Sequence, residues 1–176
     1  YQGSPVIPLS TGFIDIVGAA AGGSVGLLGS FGGCEYVSSV TGKLTFSNYW
    51  PGSGADSNFP VKAFLYDNPN QLFTICTSNV VSAANTEAEV RAAVFANIAF
   101  ATGNSGSTTT GISSATADLN TIATTNTLAL RIMGVQDDPE NSDFTAAGIP
   151  LIVRINNHFN APTGSIAAGT VSTTGV

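Results

Sequence analysis

A chain of 176 residues with 43% hydrophobic and only 9% charged side chains is long enough for one self-supporting core and too poor in charge to stay disordered. Its net charge of −6 argues against a nucleic-acid partner, since displacing phosphate counterions takes clustered Lys and Arg, and here Lys43, Lys62, Arg91, Arg131 and Arg154 stand singly. The polar surface must be built mainly of Ser, Thr, Asn and Gly, which is weakly hydrated, weakly self-repelling and prone to associate.

In chain order, residues 1–12 read as an N-terminal arm, because the prolines of SPVIPL (4–9) suit an edge and not a central ladder. FIDIV (13–17) alternates with period two, as a half-buried strand does. Residues 16–31 are uncharged but glycine-rich and short of the roughly 20 apolar residues of a membrane span, so no membrane role is expected. No basic segment precedes them, as it would in a retained signal peptide. Residues 25–31 and 34–37 form a strand interrupted by Gly32-Gly33, a pair that marks a bulge or bend.

VTGK (40–43) is a hairpin turn, followed by the strand LTFSNYW (44–50), in which Leu44, Phe46 and Tyr49 cannot share one face without a bulge. PGSGADS (51–57) ends it. VKAFLY (61–66) reads as a partly buried strand, DNPN (67–70) as a turn held by its own side chains, and LFTIC (72–76) as the returning strand of the clearest hairpin in the sequence. The stretch 31–76 also holds both cysteines, the only tryptophan and three of the four tyrosines.

The middle changes character. Asn85, Thr86, Glu87 and Glu89 form a helix start, with acids in the first turn, and the helix runs through Val90, Arg91 and Ala92. FANIAF (95–100) reads as a strand, 102–111 as an exposed polar loop, and 113–119 as one helical turn. TLALRIMGV (127–135) is a strand with Leu128, Leu130, Ile132 and Gly134 on one face and Arg131 on the other. Residues 136–147 form an acidic loop, IPLIVRIN (149–156) is the last strong strand, and 159–176 reads as an extended tail. The expected fold is therefore all-β: a single compact β-sandwich or β-barrel, jelly-roll-like, with its core in 13–158 and one short helix.

Little in this chain points to reaction chemistry. Cys34 and Cys76, if bridged, would close a loop of about 40 residues worth roughly 4 kcal/mol; two buried free thiols are the expectation for a protein made in a reducing cytosol. His158 stands alone in INNHF, without the partners of a triad or metal site, and reads as a satisfied histidine at a strand end. Asp137, Asp138, Glu140 and Asp143 lack the spacing of a calcium loop. Tyr49 and Trp50 read as core or interface packing, with a sugar platform as the rival. GNSGSTTTG has no lysine and no long helix to make it a phosphate loop. No catalytic, cofactor-binding or metal-ligating residues are expected, and no enzyme.

The ordered set GCEY (33–36), FSNYWPG (46–52), AFLYDNPNQLF (63–73), the TTTGIS run ending at Ser113, and VRINNH (153–158) resembles small structural proteins of tailed bacteriophages encoded near the major capsid protein and regarded as capsid decoration or cement proteins. The resemblance spans about 4–158. It implies a non-enzymatic virion protein that binds the major capsid protein, and copies of itself, on the outer capsid surface, where an acidic chain avoids the packaged DNA. Two rival classes remain: a carbohydrate-binding surface module, which needs Trp50 exposed, and a secreted or pilus-like subunit with a Cys34–Cys76 bridge.

Overall fold

The computed structural model describes residues 1–17, 26–78, 86–102, 105–137 and 143–161. They form two antiparallel sheets of five strands each, one α-helix and one turn of 3-10 helix (Gly52–Gly54), so the all-β reading holds. The expected tail beyond Ala161 and the cap position Asn85 lie outside the described residues. The first sheet contains β1 (Pro5–Pro8), β2 (Ile14–Ile16), β3 (Gly29–Val37), β4 (Leu44–Ser47) and β5 (Lys62–Tyr66). The second contains β6 (Leu72–Cys76), β7 (Asn97–Thr102), β8 (Thr116–Ala123), β9 (Leu130–Val135) and β10 (Pro150–Ile155), in the order β6-β10-β9-β7-β8. Each half of the chain thus builds its own sheet, where a jelly roll would interleave the halves.

The first sheet is organised by β3. One edge of β3 pairs with β5; the other meets β1 near Gly29 and Ser30 and β4 from Cys34 to Val37. Gly32-Gly33 forms the expected bulge, with the register to β5 shifting between Phe31 and Gly33. Residues 1–12 are not a free arm. Gln2 N–H lies within bonding distance of both Asn48 O (2.7 Å) and Gly111 O (2.9 Å), Gly3 N–H donates to Phe31 O, and β1 sits between β2 and β3. Its prolines are tolerated there because they are the first and last residues of a four-residue strand, where a missing N–H interrupts the ladder least. β4 stops at Ser47, three residues early, as Asn48 O is taken up by the N-terminal segment.

The clearest hairpin of the sequence does not form. The turn at 67–70 is present, with Asn70 N–H donating to Asn68 Oδ1 and Gln71 N–H to Asn68 O. Its flanks belong to different sheets: β5 pairs with β3, and β6 pairs with β10 over five residue pairs. Turn chemistry bends the chain locally, but the partner of each flank is fixed by burial. β6 turns Phe73 and Ile75 against the larger core, which a hairpin with β5 would leave uncovered.

The second sheet curls until its outer strands touch. Thr77 forms a parallel bridge with Ala117, and Ser78 N–H donates to Ala117 O at 2.9 Å. The larger core fills this curl, with Ile98, Leu119, Ile132, Leu151 and Val153 almost wholly buried. Val90 closes it from helix α1 (Glu87–Ala92), whose Thr86 and Glu89 make the expected reciprocal capping box. A smaller cluster of Val6, Phe31 and Cys34 lies under the first sheet.

Two further expectations are corrected. Residues 113–119 are not helical: Ala117 and Leu119 are buried two apart, which is strand parity, and they belong to β8. The strand expected from Phe95 begins at Asn97, because Phe95 itself takes a left-handed turn (φ 72°) after the helix.

Candidate interaction surface

Strand parity puts an apolar face on the solvent side of the first sheet. Across β3, Glu35 is opposite Phe46 of β4 and Lys62 of β5, Val37 is opposite Leu44, Gly33 is opposite Phe64, and Ser30 is opposite Tyr66. Successive residues point to opposite faces, so these positions share one side and Cys34 and Leu65 point to the other. Cys34 and Leu65 belong to the smaller core cluster, which fixes the first set as outward. Leu44, Phe46, Phe64 and Tyr66 are accordingly 67%, 56%, 39% and 54% exposed. Scattered exposed hydrophobics are ordinary, whereas a group gathered on one sheet face makes a candidate contact surface.

The glycines shape this face. A Cβ on Gly33 would lie 2.5 Å from Phe46 Cζ, and one on Gly32 would lie 3.2 Å from Tyr66 Cε2, so the two rings rest against bare β3 backbone. Phe46 and Phe64 rings stand 6.1 Å apart, tilted by 47°, and Lys62 Nζ sits 5.2 Å from the Phe64 centroid as a cation over the ring. Gly33 has φ +127°, where an L side chain is strained. Gly33→Ala should therefore cost about 1–3 kcal/mol and displace Phe46. Thermal melting measures it, and a drop of less than roughly 1 °C would show that the seat has slack.

A further exposed aromatic stands three residues beyond the end of β4. Trp50 is 58% exposed, which rules out the core position considered for it, while Tyr49 is half-buried with its ring 6.2 Å from Tyr1. Ile112, bridged to Gln2, is exposed nearby in the chain segment whose Gly111 crowds Asn48 and Tyr49.

The cysteines are unpaired and unlike one another. Cys34 is buried, its S–H donating to Tyr49 O at 3.5 Å, and burial pushes its thiol pKa up. Cys76 is exposed, against the expectation of two buried thiols, because in β6 it follows inward Ile75 and faces the other way. A bridge between them is not formed.

His158 is buried. Its Nδ1 accepts from Asn160 N–H at 3.1 Å, and its Nε2 has no hydrogen-bond partner among the described residues. The histidine is therefore only half satisfied. Burial lowers its pKa, with Asp67 opposing. Its neighbours in INNHF do structural work: Asn156 Nδ2 donates to Asn126 O and Leu128 O, and Leu27 N–H donates to Asn157 O. In the acidic loop, Asp137 pairs with Arg91 at 3.1 Å and Asp143 accepts from Thr145; Asp138 and Glu140 lie outside the described residues. Among the described residues no three His, Cys, Asp or Glu side chains gather as a metal site, and no helix is long and apolar enough to cross a membrane.

Between the two sheets lies a cavity of ≈ 290 Å³ lined mainly by apolar side chains, among them Pro5, Leu27, Phe73, Phe100, Leu130 and Val153. Its lining includes no titratable side chain. Comparison with protein-family models, with curated proteins and with solved structures gives no match to this chain.

Proposed function

We propose that this chain is a non-enzymatic structural protein of a tailed-bacteriophage virion, which decorates and stabilises the outer capsid surface by binding the major capsid protein. The observation that carries this reading is the exposed face of Leu44, Phe46, Phe64 and Tyr66 on the first sheet. Three of the five segments on which the phage resemblance rests, GCEY, FSNYWPG and AFLYDNPNQLF, contribute to that face or to its glycine seat. A protein that works as cement needs no active site. It needs a surface that loses little on desolvation and is presented on a stiff support, and bound to the assembled shell alone it stabilises that state by mass action. Stable attachment calls for at least about 1,000 Å² of buried interface, more than these four side chains supply, so neighbouring neutral loops must share the contact.

The experiment is to purify virions and ask whether this protein is present and comes off in mild denaturant before the shell breaks. Shells stripped in this way should rebind the wild-type protein, whereas the folded double variant Phe46→Ser/Phe64→Ser should bind at least about tenfold more weakly. Absence from virions would sink the proposal. A second reading, a carbohydrate-binding module, is favoured by the exposure of Trp50 alone. It predicts that glycans shift Trp50 fluorescence, which in a chain with one tryptophan reports that site directly.

A further inference from the structure

We propose that β5 is a self-association edge: it pairs antiparallel with β5 of a second copy of this chain, about a two-fold axis at Phe64, and extends the first sheet across the dimer. The inference does not rest on the capsid reading, because it concerns the edge of the sheet and not the face offered to another protein.

The direction of the backbone groups is set by β3. Phe31 donates its N–H to Ser4 O at 2.9 Å and accepts from Gly3 N–H at 2.7 Å, so both of its main-chain groups face the β1 side. Its cross-strand partner in β5 is Leu65. A pair that exchanges no hydrogen bonds on one side turns its groups outward on the other, so Leu65 directs its N–H and C=O away from β3. Alternation extends this to Ala63. Among the described residues β5 pairs with β3 and with no other strand, and no loop bonds to its outer side. Ala63 is also exposed.

Edges of this kind are normally guarded by proline, by inward charge, by a bulge or by a cover. β5 has only Lys62, at its first position; the run Ala63, Phe64, Leu65 and Tyr66 has neither charge nor proline, and the bulge is in β3 instead. The strand is complementary to itself about Phe64. Ala63 meets Leu65 of the second copy, and the outward groups of these two residues form the hydrogen-bonded pairs on either side of the axis. Phe64 meets Phe64 of the second copy as the close, non-hydrogen-bonded pair, with Cα atoms about 4.5 Å apart. Lys62 meets Tyr66 of the second copy, a cation facing a ring, while the two lysines stay roughly 13 Å apart along the strands. A shift by one residue would oppose an outward group to an inward one, and a larger shift would push one end of the pairing out of the strand. In the centred register the two aromatic faces lie on the same side and merge into one.

The test uses the full 176-residue chain. Light scattering over about 1–100 µM should show a dimer with a dissociation constant in the micromolar range. Ala63→Pro removes an outward N–H at an exposed residue outside the core clusters, and it should weaken the dimer by roughly tenfold or more at an unchanged circular dichroism spectrum. As a check that does not depend on that variant folding, Phe64→Cys in a Cys34→Ala/Cys76→Ser background, which also removes the thiol opposite position 63, should oxidise to a covalent dimer, and Ala63→Cys in the same background should not. A wild-type chain that is monomeric throughout the range overturns the proposal. So does a folded Ala63→Pro protein that dimerises like wild type, or cross-linking at Ala63→Cys as fast as at Phe64→Cys.

Discussion

Leu151→Ala should lower stability by about 3–5 kcal/mol, at the upper end of what a single core truncation costs. Leu151 is fully buried in β10, the strand that lies between β6 and β9, and it stands opposite Ile75 on one side and Val135 on the other. Truncation leaves a cavity that hydrogen-bonded strands on both sides cannot close up to fill. At roughly 2–4 °C per kcal/mol for a chain of this size, the melting temperature should fall by about 10 °C. Phe46→Ser is the contrast: it deletes a larger side chain from the exposed face and should cost less than about 1 kcal/mol. Chemical denaturation of both variants measures the difference. Equal losses would mean that the aromatic face is part of the folding core and not an interaction surface.

Stability should also fall on mild acidification, through His158. Its Nδ1 accepts from Asn160 N–H, which places the proton of the neutral ring on the buried Nε2, so a second proton would put a charge where, among the described residues, Asp67 alone offers partial compensation. The folded-state pKa is lowered relative to the unfolded value of about 6.5. Above that value both states are neutral and the contribution is complete. Below it the unfolded chain takes up a proton that the folded chain refuses, and stability drops with a slope of at most about 1.4 kcal/mol per pH unit until the folded-state pKa is reached. Asp143, held below the usual carboxylate range by the hydroxyl and N–H of Thr145, loses its contribution in a separate and lower window, as the pH falls below about 3.8. Melting curves from pH 8 to pH 5 should slope for wild type and flatten for His158→Leu, which fills the site with an apolar side chain of similar size. A wild-type curve that is flat over this range would show that Nε2 is solvated.

Local chemistry was legible wherever one stretch of chain settles its own shape. Thr86 with Glu89 announces the helix start and forms it, Gly32-Gly33 announces a bulge and makes one, and alternation in TLALRIMGV places Leu130 and Ile132 inside. The candidate surface was less legible. AFLY reads as a half-buried strand, but the outward orientation of Phe64 and Tyr66 follows from their register with Gly33 and Ser30, and that register depends on a bulge in another strand. The fate of Cys76 and Trp50 was equally hidden, since a cysteine or tryptophan beside an apolar residue can lie on either face.

By itself the sequence determined the class of the fold, the position of its turns, the capped helix and the absence of clustered charge. These rest on interactions within a few residues or on composition. The tertiary structure alone decided that β5 joins β3 while β6 joins β10, that the N-terminal residues are sewn into the first sheet, and that Leu44, Phe46, Phe64 and Tyr66 emerge together on one open face. Period-two alternation says that a strand has two unlike faces. Which face is covered, and by which neighbour, depends on ladders between residues far apart in the chain, and on how well each candidate pairing buries the rest.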